Sequence, residues 1–331
     1  DWIDDRLDEL WTLRGPYPGL GAAVSAFGMS QGTFIAREIS DRINVAEEDP
    51  WEELDAVLED PSVLSERLQE EITPTDQERW TDLKENKEAR RDLLELLSRF
   101  EITSEQAERF YDKPKRKDVG VDWTDGDLLE NPYLLYQEDR FSEEPISLQT
   151  VDRGLFLQDG GDEFAADLQS PDPLDPRRVS ALLINQLDRR GNQGDTLARQ
   201  TALVKSIRAA SISPDCPVDK DYLNRFEEEL SSALEKCTIE VDGQSRSAFQ
   251  LRRFVETREV IRKAIEKRYQ GDRHDIEVNW RKVVDAHYGD LSAVPGFNRK
   301  KKRGARCEKA AGTKKHTPAP FSRFPGPART G

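Results

Sequence analysis

Apolar residues recur every three or four positions over the first 110 residues, which is the spacing that one buried helix face requires. The first such stretch, residues 1–14, ends at a Gly-Pro-Tyr-Pro-Gly sequence over 15–19, which has strong turn character. Five more helices are predicted over 22–27, 51–58, 64–72, 77–83 and 90–100. Another predicted helix carries its apolar face on Phe34, Ile35, Ile39 and Ile43.

Polar residues mark where several of these helices begin. Asp49 and Pro50 precede an apolar stripe that starts at Trp51, and proline is favoured in the first turn of a helix. Thr103 and Gln106 have the spacing of a capping box, so a helix is expected to start there. The basic run over 113–117 is predicted to be an exposed loop.

The second half predicts a different order of elements. Helical patterns over 177–190, 196–210 and 219–236 precede two short strands that flank Asp242-Gly243, a hairpin signal. Three helices followed by a hairpin is the order of a winged-helix module, and a plain helical bundle with a hairpin would look the same. Further helices are expected over 252–269 and 278–287.

The sequence therefore predicts a mainly α protein in two parts. Residues 1–157 would form a helical domain with helix-hairpin-helix elements, and residues 177–290 a helical, winged-helix-like module with one β-hairpin. Residues 158–176 are rich in glycine, proline and acids and would form a linker. The basic tail over 291–331 loses apolar periodicity and is expected to be disordered.

Composition narrows the class of protein. The 331 residues are 36% hydrophobic and 35% charged, and no apolar run is long enough to span a membrane. No signal peptide is predicted, because residues 1–5 are acidic and no long apolar stretch follows them. Cys216, Cys237 and Cys307 show no spacing for a disulfide framework or a zinc site, so no metal is expected and a cytoplasmic location is favoured.

Charge is unevenly distributed. The net charge is −15, but residues 299–331 carry eleven basic residues and one acid, so the remainder carries about −25. An acidic body opposes broad binding to nucleic acid. Any DNA contact there is expected to be local, made by backbone amides and a few basic side chains.

One turn has the pattern of a local DNA contact, the sequence Tyr-Pro-Gly-Leu-Gly over 17–21. Glycines at 19 and 21 would let the backbone turn with positive φ, and the amides of the turn and of the next helix would face phosphate oxygens. Leu20 would anchor the turn in the core. The candidate DNA-binding residues are Arg14, Pro18, Gly19, Leu20, Gly21 and Arg37. The alternative is an ordinary turn between two packed helices.

Two later segments extend this pattern. Residues 97–107 look like a degenerate second copy of the turn, with Glu101 where a glycine would sit, or like a capped packing unit. Asn131-Pro132-Tyr133 follows, where Pro132 forces Asn131 away from helical geometry and Tyr133 can pack while its hydroxyl finds a partner. A structural role is expected for this element.

The order of these elements resembles the N-terminal region of RecD-like helicases of superfamily 1. In that family another hairpin motif follows the Asn-Pro-Tyr element, and residues 145–154 occupy its place here without the usual glycine turn. The stretches 182–187 and 194–197 are similar to a helix and a Gly-His-Thr sequence of the family, with Asp195 in place of the histidine. The resemblance covers about residues 1–290.

The chain end is similar to the start of the family's Walker A loop. Gly326, Thr330 and Gly331 would be its nucleotide-binding residues, but the chain stops before the lysine and the Ser/Thr that reach the phosphates and magnesium. Arg329 replaces a glycine and would hinder a phosphate. The alternative is a low-complexity tail with chance glycines. No ATP hydrolysis and no catalytic residues are expected in this chain, which would be a fragment.

Two hypotheses follow. By resemblance, the intact parent would be a 5′ to 3′ DNA helicase driven by ATP and Mg²⁺, and this region would engage single-stranded or forked DNA beside motor domains in cis. The second hypothesis is an acidic helical module that binds a protein partner and no nucleic acid. Neither hypothesis involves a membrane.

Overall fold

The computed structural model describes residues 15–45, 48–118, 122–156, 172–230 and 233–271, together with Arg6, Lys282 and Ala286. The chain divides into two units, Asp1–Ala264 and Ile265–Gly331. The predicted helices over 1–14 and 278–287 and the predicted tail disorder lie outside the described ranges, as do Arg14, Gly326, Thr330 and Gly331.

Between residues 15 and 156, the described part of the first unit is helical, in agreement with the mainly α prediction. A short 3₁₀ helix, Pro61–Val63, lies between the α-helices Pro50–Glu59 and Glu66–Glu71. The α-helices as far as residue 156 are α1 Leu20–Phe27, α2 Gly32–Arg42, α3 Pro50–Glu59, α4 Glu66–Glu71, α5 Pro74–Asn86, α6 Glu88–Ser98, α7 Ser104–Tyr111, α8 Lys113–Asp118, α9 Asp125–Glu130, α10 Leu134–Asp139 and α11 Leu148–Leu155.

Side-chain caps fix several of these helix starts, as the sequence predicts. The Asp49 carboxylate accepts a 2.9 Å hydrogen bond from the Trp51 amide, and Pro50 occupies the first turn of α3. Thr103 and Gln106 make both reciprocal bonds of a capping box at α7. Each cap satisfies an amide that the helix itself cannot, a contribution of about 1 kcal/mol. The capping prediction is confirmed.

The second half combines helices with a small sheet. Strand β1 (Ala198–Arg199) pairs antiparallel with β3 (Gln244–Leu251), and β3 pairs with β2 (Leu234–Val241) through the turn at Asp242-Gly243, so the sheet order is β1-β3-β2. The elements are α12 Pro176–Gly191, β1 Ala198–Arg199, α13 Gln200–Arg208, α14 Lys220–Arg225, α15 Glu227–Leu230, β2 Leu234–Val241, β3 Gln244–Leu251 and α16 Arg252–Gln270. The predicted hairpin is present, together with strand β1, which the sequence pattern did not indicate. The helix predicted over 219–236 is wrong in extent, because α14 and α15 divide it and β2 begins at Leu234. The winged-helix hypothesis stays a prediction.

Both halves of the first unit contribute to one hydrophobic core. The buried cluster includes Phe100 and Leu135 from the first half and Leu183 and Phe249 from the second. The two predicted domains therefore share a core. The predicted linker is largely outside the described residues, so its boundary stays a prediction.

Two expectations about individual segments are wrong. Phe34 was expected on the buried face of α2, but it is 53% exposed, because Ile35 and Ile39 already fill the contact with the core. The basic run over 113–117 is not an exposed loop, because it forms most of α8. Arg116 is buried there, with Nη2 2.7 Å from the Asp125 carboxylate and Nη1 2.8 Å from the Trp123 carbonyl oxygen.

The long helix α16 differs from the others in the first unit. Its residues from 256 to 264 are largely exposed, including Val260 and Ile261, and none of its residues is buried. Among the described residues, no helix combines the length and the apolar character that crossing a membrane requires.

Candidate nucleic-acid interface

The turn over 15–19 is built differently from the prediction. Gly15 has a φ of +69°, which only glycine adopts readily, while Gly19 has a φ of −96° and Gly21 lies in α1 without a positive φ. The expectation that Gly19 and Gly21 supply positive φ is therefore wrong. Another constraint must explain glycine at these two positions.

At Gly19 the constraint is contact with the segment over 97–107. The Gly19 amide donates a 2.8 Å hydrogen bond to the Ser98 carbonyl oxygen, and a Cβ on Gly19 would overlap the Phe100 carbonyl oxygen. Leu20 is buried, as predicted. The Gly19 amide is thus used within the protein, and the prediction that it points outward is wrong.

At Gly21 the constraint is contact with the next helix. A Cβ on Gly21 would lie 2.7 Å from the Thr33 Cα, and a Cβ on Gly32 would lie 2.7 Å from the Gly21 carbonyl oxygen. Glycines on both helices therefore let the first turns of α1 and α2 meet backbone to backbone. Thr33 is exposed and Gly21 is half-buried at this junction.

The meeting point has the electrostatic character of two helix N-termini. Neither α1 nor α2 has an acidic residue in its first turn, and neither has a side-chain cap, because the N-cap residues are Gly19 and Gln31. Each helix dipole places about half a positive charge at its N-terminus. The Gly21–Thr33 junction is therefore a local positive site on an acidic protein.

Arg37 adds a full charge to the same surface. It lies four residues after Thr33, which is one turn along α2 on the same face. Its side chain is exposed and forms no ion pair with any residue in the described ranges. Asp41 follows one further turn away and is also exposed. Of the predicted DNA-binding residues, Gly21 and Arg37 come together here with Thr33, while Pro18 is half-buried.

The segments over 97–107 and 145–154 differ from the turn over 15–19. Thr103 uses its hydroxyl to cap α7, and exposed Glu101 and Glu105 lie beside that helix start. Ser147 likewise caps α11. Capped amides and nearby carboxylates oppose phosphate binding. These features favour the interpretation of residues 97–107 as a packing unit.

Arg99 joins the segment over 97–107 to the segment over 145–154. Its guanidinium is buried and donates a 3.0 Å hydrogen bond from Nε to the Gly154 carbonyl oxygen. Burial lowers the pKa of Arg99, and the nearby Tyr17 opposes that shift. Asp139 also holds the segment over 145–154 by accepting a 2.6 Å hydrogen bond from the Ile146 amide. Because the Arg99 guanidinium is buried, it stabilises the fold and cannot contact an external phosphate.

The Asn-Pro-Tyr element has the structural role that the sequence predicts. Asn131 has a non-helical ψ of 84° before Pro132, and the buried Tyr133 hydroxyl donates a 2.7 Å hydrogen bond to Asp152. Later in the chain, the predicted helix over 182–187 lies within α12, and Gly194 has a φ of +97° beside the exposed Asp195.

Sequence reasoning missed Thr33 and the role of Gly32. The available signal was Gln31-Gly32-Thr33 before an apolar helical stripe, with no acid in the first turn.

No family model, curated protein or solved structure matches this chain. Among the described residues, no group of three or more His, Cys, Asp or Glu could hold a metal ion.

Proposed function

We propose that this chain is a DNA-engaging accessory region and that the Gly21–Thr33 junction contacts the phosphate backbone. The observation that carries the proposal is the meeting of two uncapped, acid-free helix N-termini beside Arg37, which forms no ion pair within the described ranges. Backbone amides and one arginine contact phosphates without reading bases, so the binding would be independent of sequence.

The proposal fits the acidic body of the protein. A chain with a net charge of −15 cannot attract DNA over its whole surface. A contact confined to a few donors would hold one or two phosphates, so affinity would be modest and would fall with salt at a log–log slope of about one to two.

The wider assignment rests on the resemblance to RecD-like helicases. In this proposal the parent protein uses ATP and Mg²⁺ to move 5′ to 3′ along DNA in the cytoplasm. The present region would guide single-stranded or forked DNA next to motor domains in cis, and it would not itself hydrolyse ATP.

The test uses surface variants of the junction. Substitution of Gly19 or Gly21 by valine is unsuitable, because a side chain there would overlap Phe100 or Thr33. Arg37→Glu and Thr33→Glu change exposed positions instead. In fluorescence anisotropy with a labelled fork at low salt, Arg37→Glu is expected to weaken binding about tenfold and to lower the salt slope by about one.

Arg225→Glu is the matched control, because Arg225 is an exposed arginine on α14 that forms no ion pair with a described residue. It makes the same charge change away from the junction and is expected to alter affinity less than twofold. The proposal fails if the wild-type chain binds no DNA at low salt, or if Arg37→Glu and Arg225→Glu weaken binding equally.

A second function is favoured by a different observation. Exposed Val260 and Ile261 on α16 are suited to packing against a protein partner, and the acidic body suits a module without nucleic acid. Under this function, Val260→Ser with Ile261→Ser would abolish capture of the motor domains in a pull-down, while Arg37→Glu would change neither that capture nor any DNA binding.

A further inference from the structure

Phe141 is an aromatic side chain that the fold leaves in solvent. It follows the end of α10 and is 64% exposed, although a phenylalanine usually gains free energy from burial. Two guanidinium groups lie over its ring: the Cζ atom of Arg140 is 4.5 Å from the ring centroid, and the Cζ atom of Arg253 is 4.6 Å from it. The ring is held in place by these cations while much of it stays accessible.

Both arginines over the ring pair with the same acid, Asp188. Its Oδ2 lies 3.3 Å from the Arg140 Nε, and its Oδ1 is bonded to the Arg253 Nη2. Within the described residues, the ion pairs at the ring therefore comprise two guanidiniums and one carboxylate, and Glu138 also lies near Arg140.

The start of α16 adds more basic residues. Over residues 252–264 it carries two acids, Glu256 and Glu259, and a net charge of +3, in contrast to the −15 of the whole chain. Most of these side chains are exposed. The basic residues of this stretch are Arg252, Arg253, Arg258, Arg262 and Lys263.

Acids follow the ring in the sequence. Glu143 and Glu144 lie two and three positions after Phe141 and are exposed. They would repel a polyanion, whereas the basic residues of α16 would attract it.

We propose that Phe141 stacks against a base of single-stranded DNA and that the adjoining phosphates run along the first turns of α16. This inference rests on the proposed function and adds a base contact at a surface built from other residues. Aromatic rings beside arginines are the usual platform for unpaired bases, whereas the bases of a duplex are already stacked on each other.

The test compares the bases with the backbone. Anisotropy is measured with labelled oligo(dT), with an abasic oligonucleotide of the same length, and with a duplex. The wild-type chain is expected to bind oligo(dT) about tenfold more tightly than the abasic strand, and Phe141→Ala is expected to remove that preference. Phe141→Tyr keeps a ring and is expected to preserve it, while Phe141→Leu keeps apolar area without a ring and is expected to lose it.

Trp123→Ala is the matched control, because Trp123 is also an exposed aromatic, at 41%. It is expected to leave oligo(dT) affinity unchanged within twofold, and Lys263→Glu is expected to weaken both single strands equally. Equal binding of the two strands by the wild-type chain would overturn the inference, as would an unchanged preference in Phe141→Ala. If binding depends on Arg37 but not on Phe141, this inference fails and the proposed function stands. If no DNA binds, both fail.

Discussion

Arg178 and Asp152 form a bidentate ion pair inside the shared core. The Arg178 Nη2 lies 2.7 Å from the Asp152 Oδ2, and its Nε lies 2.9 Å from the Asp152 Oδ1. Arg178 also donates to the carbonyl oxygens of Pro173 and Pro214, and Asp152 accepts from the Tyr133 hydroxyl. The pair therefore links α11 to α12 and joins the two halves of the first unit.

Asp152→Ala is expected to destabilise the protein by about 3–5 kcal/mol, because it leaves the guanidinium buried without its carboxylate. Tyr133→Phe removes one hydrogen bond from the same carboxylate and is expected to cost about 1 kcal/mol. Urea unfolding followed by circular dichroism gives both free energies of unfolding.

The control for the buried pair is Glu259→Ala, which removes an exposed ion pair to Arg262. That change is expected to alter stability by less than about 0.5 kcal/mol. Equal effects of Asp152→Ala and Glu259→Ala would show that the buried pair does not hold the two halves together.

Gly19→Ala is expected to lower stability by about 1–3 kcal/mol. The new methyl group would overlap the Phe100 carbonyl oxygen, so the turn over 15–19 and the segment over 97–107 would have to separate. Thermal unfolding of the variant measures the change.

Gly126→Ala provides a matched comparison. Gly126 lies in α9, and its nearest neighbour would be the Thr124 Oγ1 at an ordinary 3.8 Å. This substitution is expected to stabilise the protein by about 0.4–1 kcal/mol, because alanine restricts the unfolded chain. A Gly19→Ala variant as stable as wild type would contradict the close approach at the first turn.

Stability is expected to fall as the pH rises from about 10 toward 12. Burial raises the pKa of Tyr17 to about 12, and burial also raises the pKa of Tyr111 and Tyr136. In this range the unfolded chain loses its phenolic protons and the folded chain keeps them, so the folded state binds more protons and ionisation favours unfolding.

Urea midpoints measured across this pH range test the sign. Tyr17→Phe is expected to make the alkaline decline shallower, because it removes one group that ionises earlier in the unfolded chain. A decline of unchanged steepness in Tyr17→Phe would contradict the burial of that hydroxyl.

The thiols are expected to react slowly in the folded protein. Burial raises the pKa of both Cys216 and Cys237, so each has less thiolate at pH 8 than a free cysteine. Cys216 is 2% exposed, and Cys237 is half-buried. Iodoacetamide should therefore label Cys237 before Cys216 in a Cys307→Ser variant, and urea should make both reactive. Rapid labelling of Cys216 in the folded state would contradict its burial.

Local sequence signals predicted most helix starts correctly. Asp49-Pro50 and the Thr103–Gln106 pair work within one turn, so their hydrogen bonds need no distant partner. The hairpin at Asp242-Gly243 is equally local, and Asp242 and Gly243 both adopt positive φ there. Strand β1 escaped prediction because its two residues form a strand only by pairing with β3, about fifty positions later.

The sequence did not predict how the candidate site is built. The sequence indicated the segment from Gly19 to Gly21 and the nearby Arg37. It could not indicate that Ser98 takes the Gly19 amide, or that Thr33 meets Gly21, because both contacts depend on how helices cross. For the same reason the sequence predicts an exposed loop over 113–117, whereas this run is helical and its Arg116 pairs in the interior with Asp125, nine positions later.

The sequence by itself determined the helical class, the caps, the hairpin and the acidic charge of the body, since each depends on composition or on neighbours within a few residues. The tertiary structure alone decided why Gly19 and Gly21 are glycines, that Phe34 and Phe141 face solvent, and that Arg178 is neutralised by Asp152. These features arise where segments far apart in the chain share a small volume, and there the available space and the nearest charge decide what each residue does.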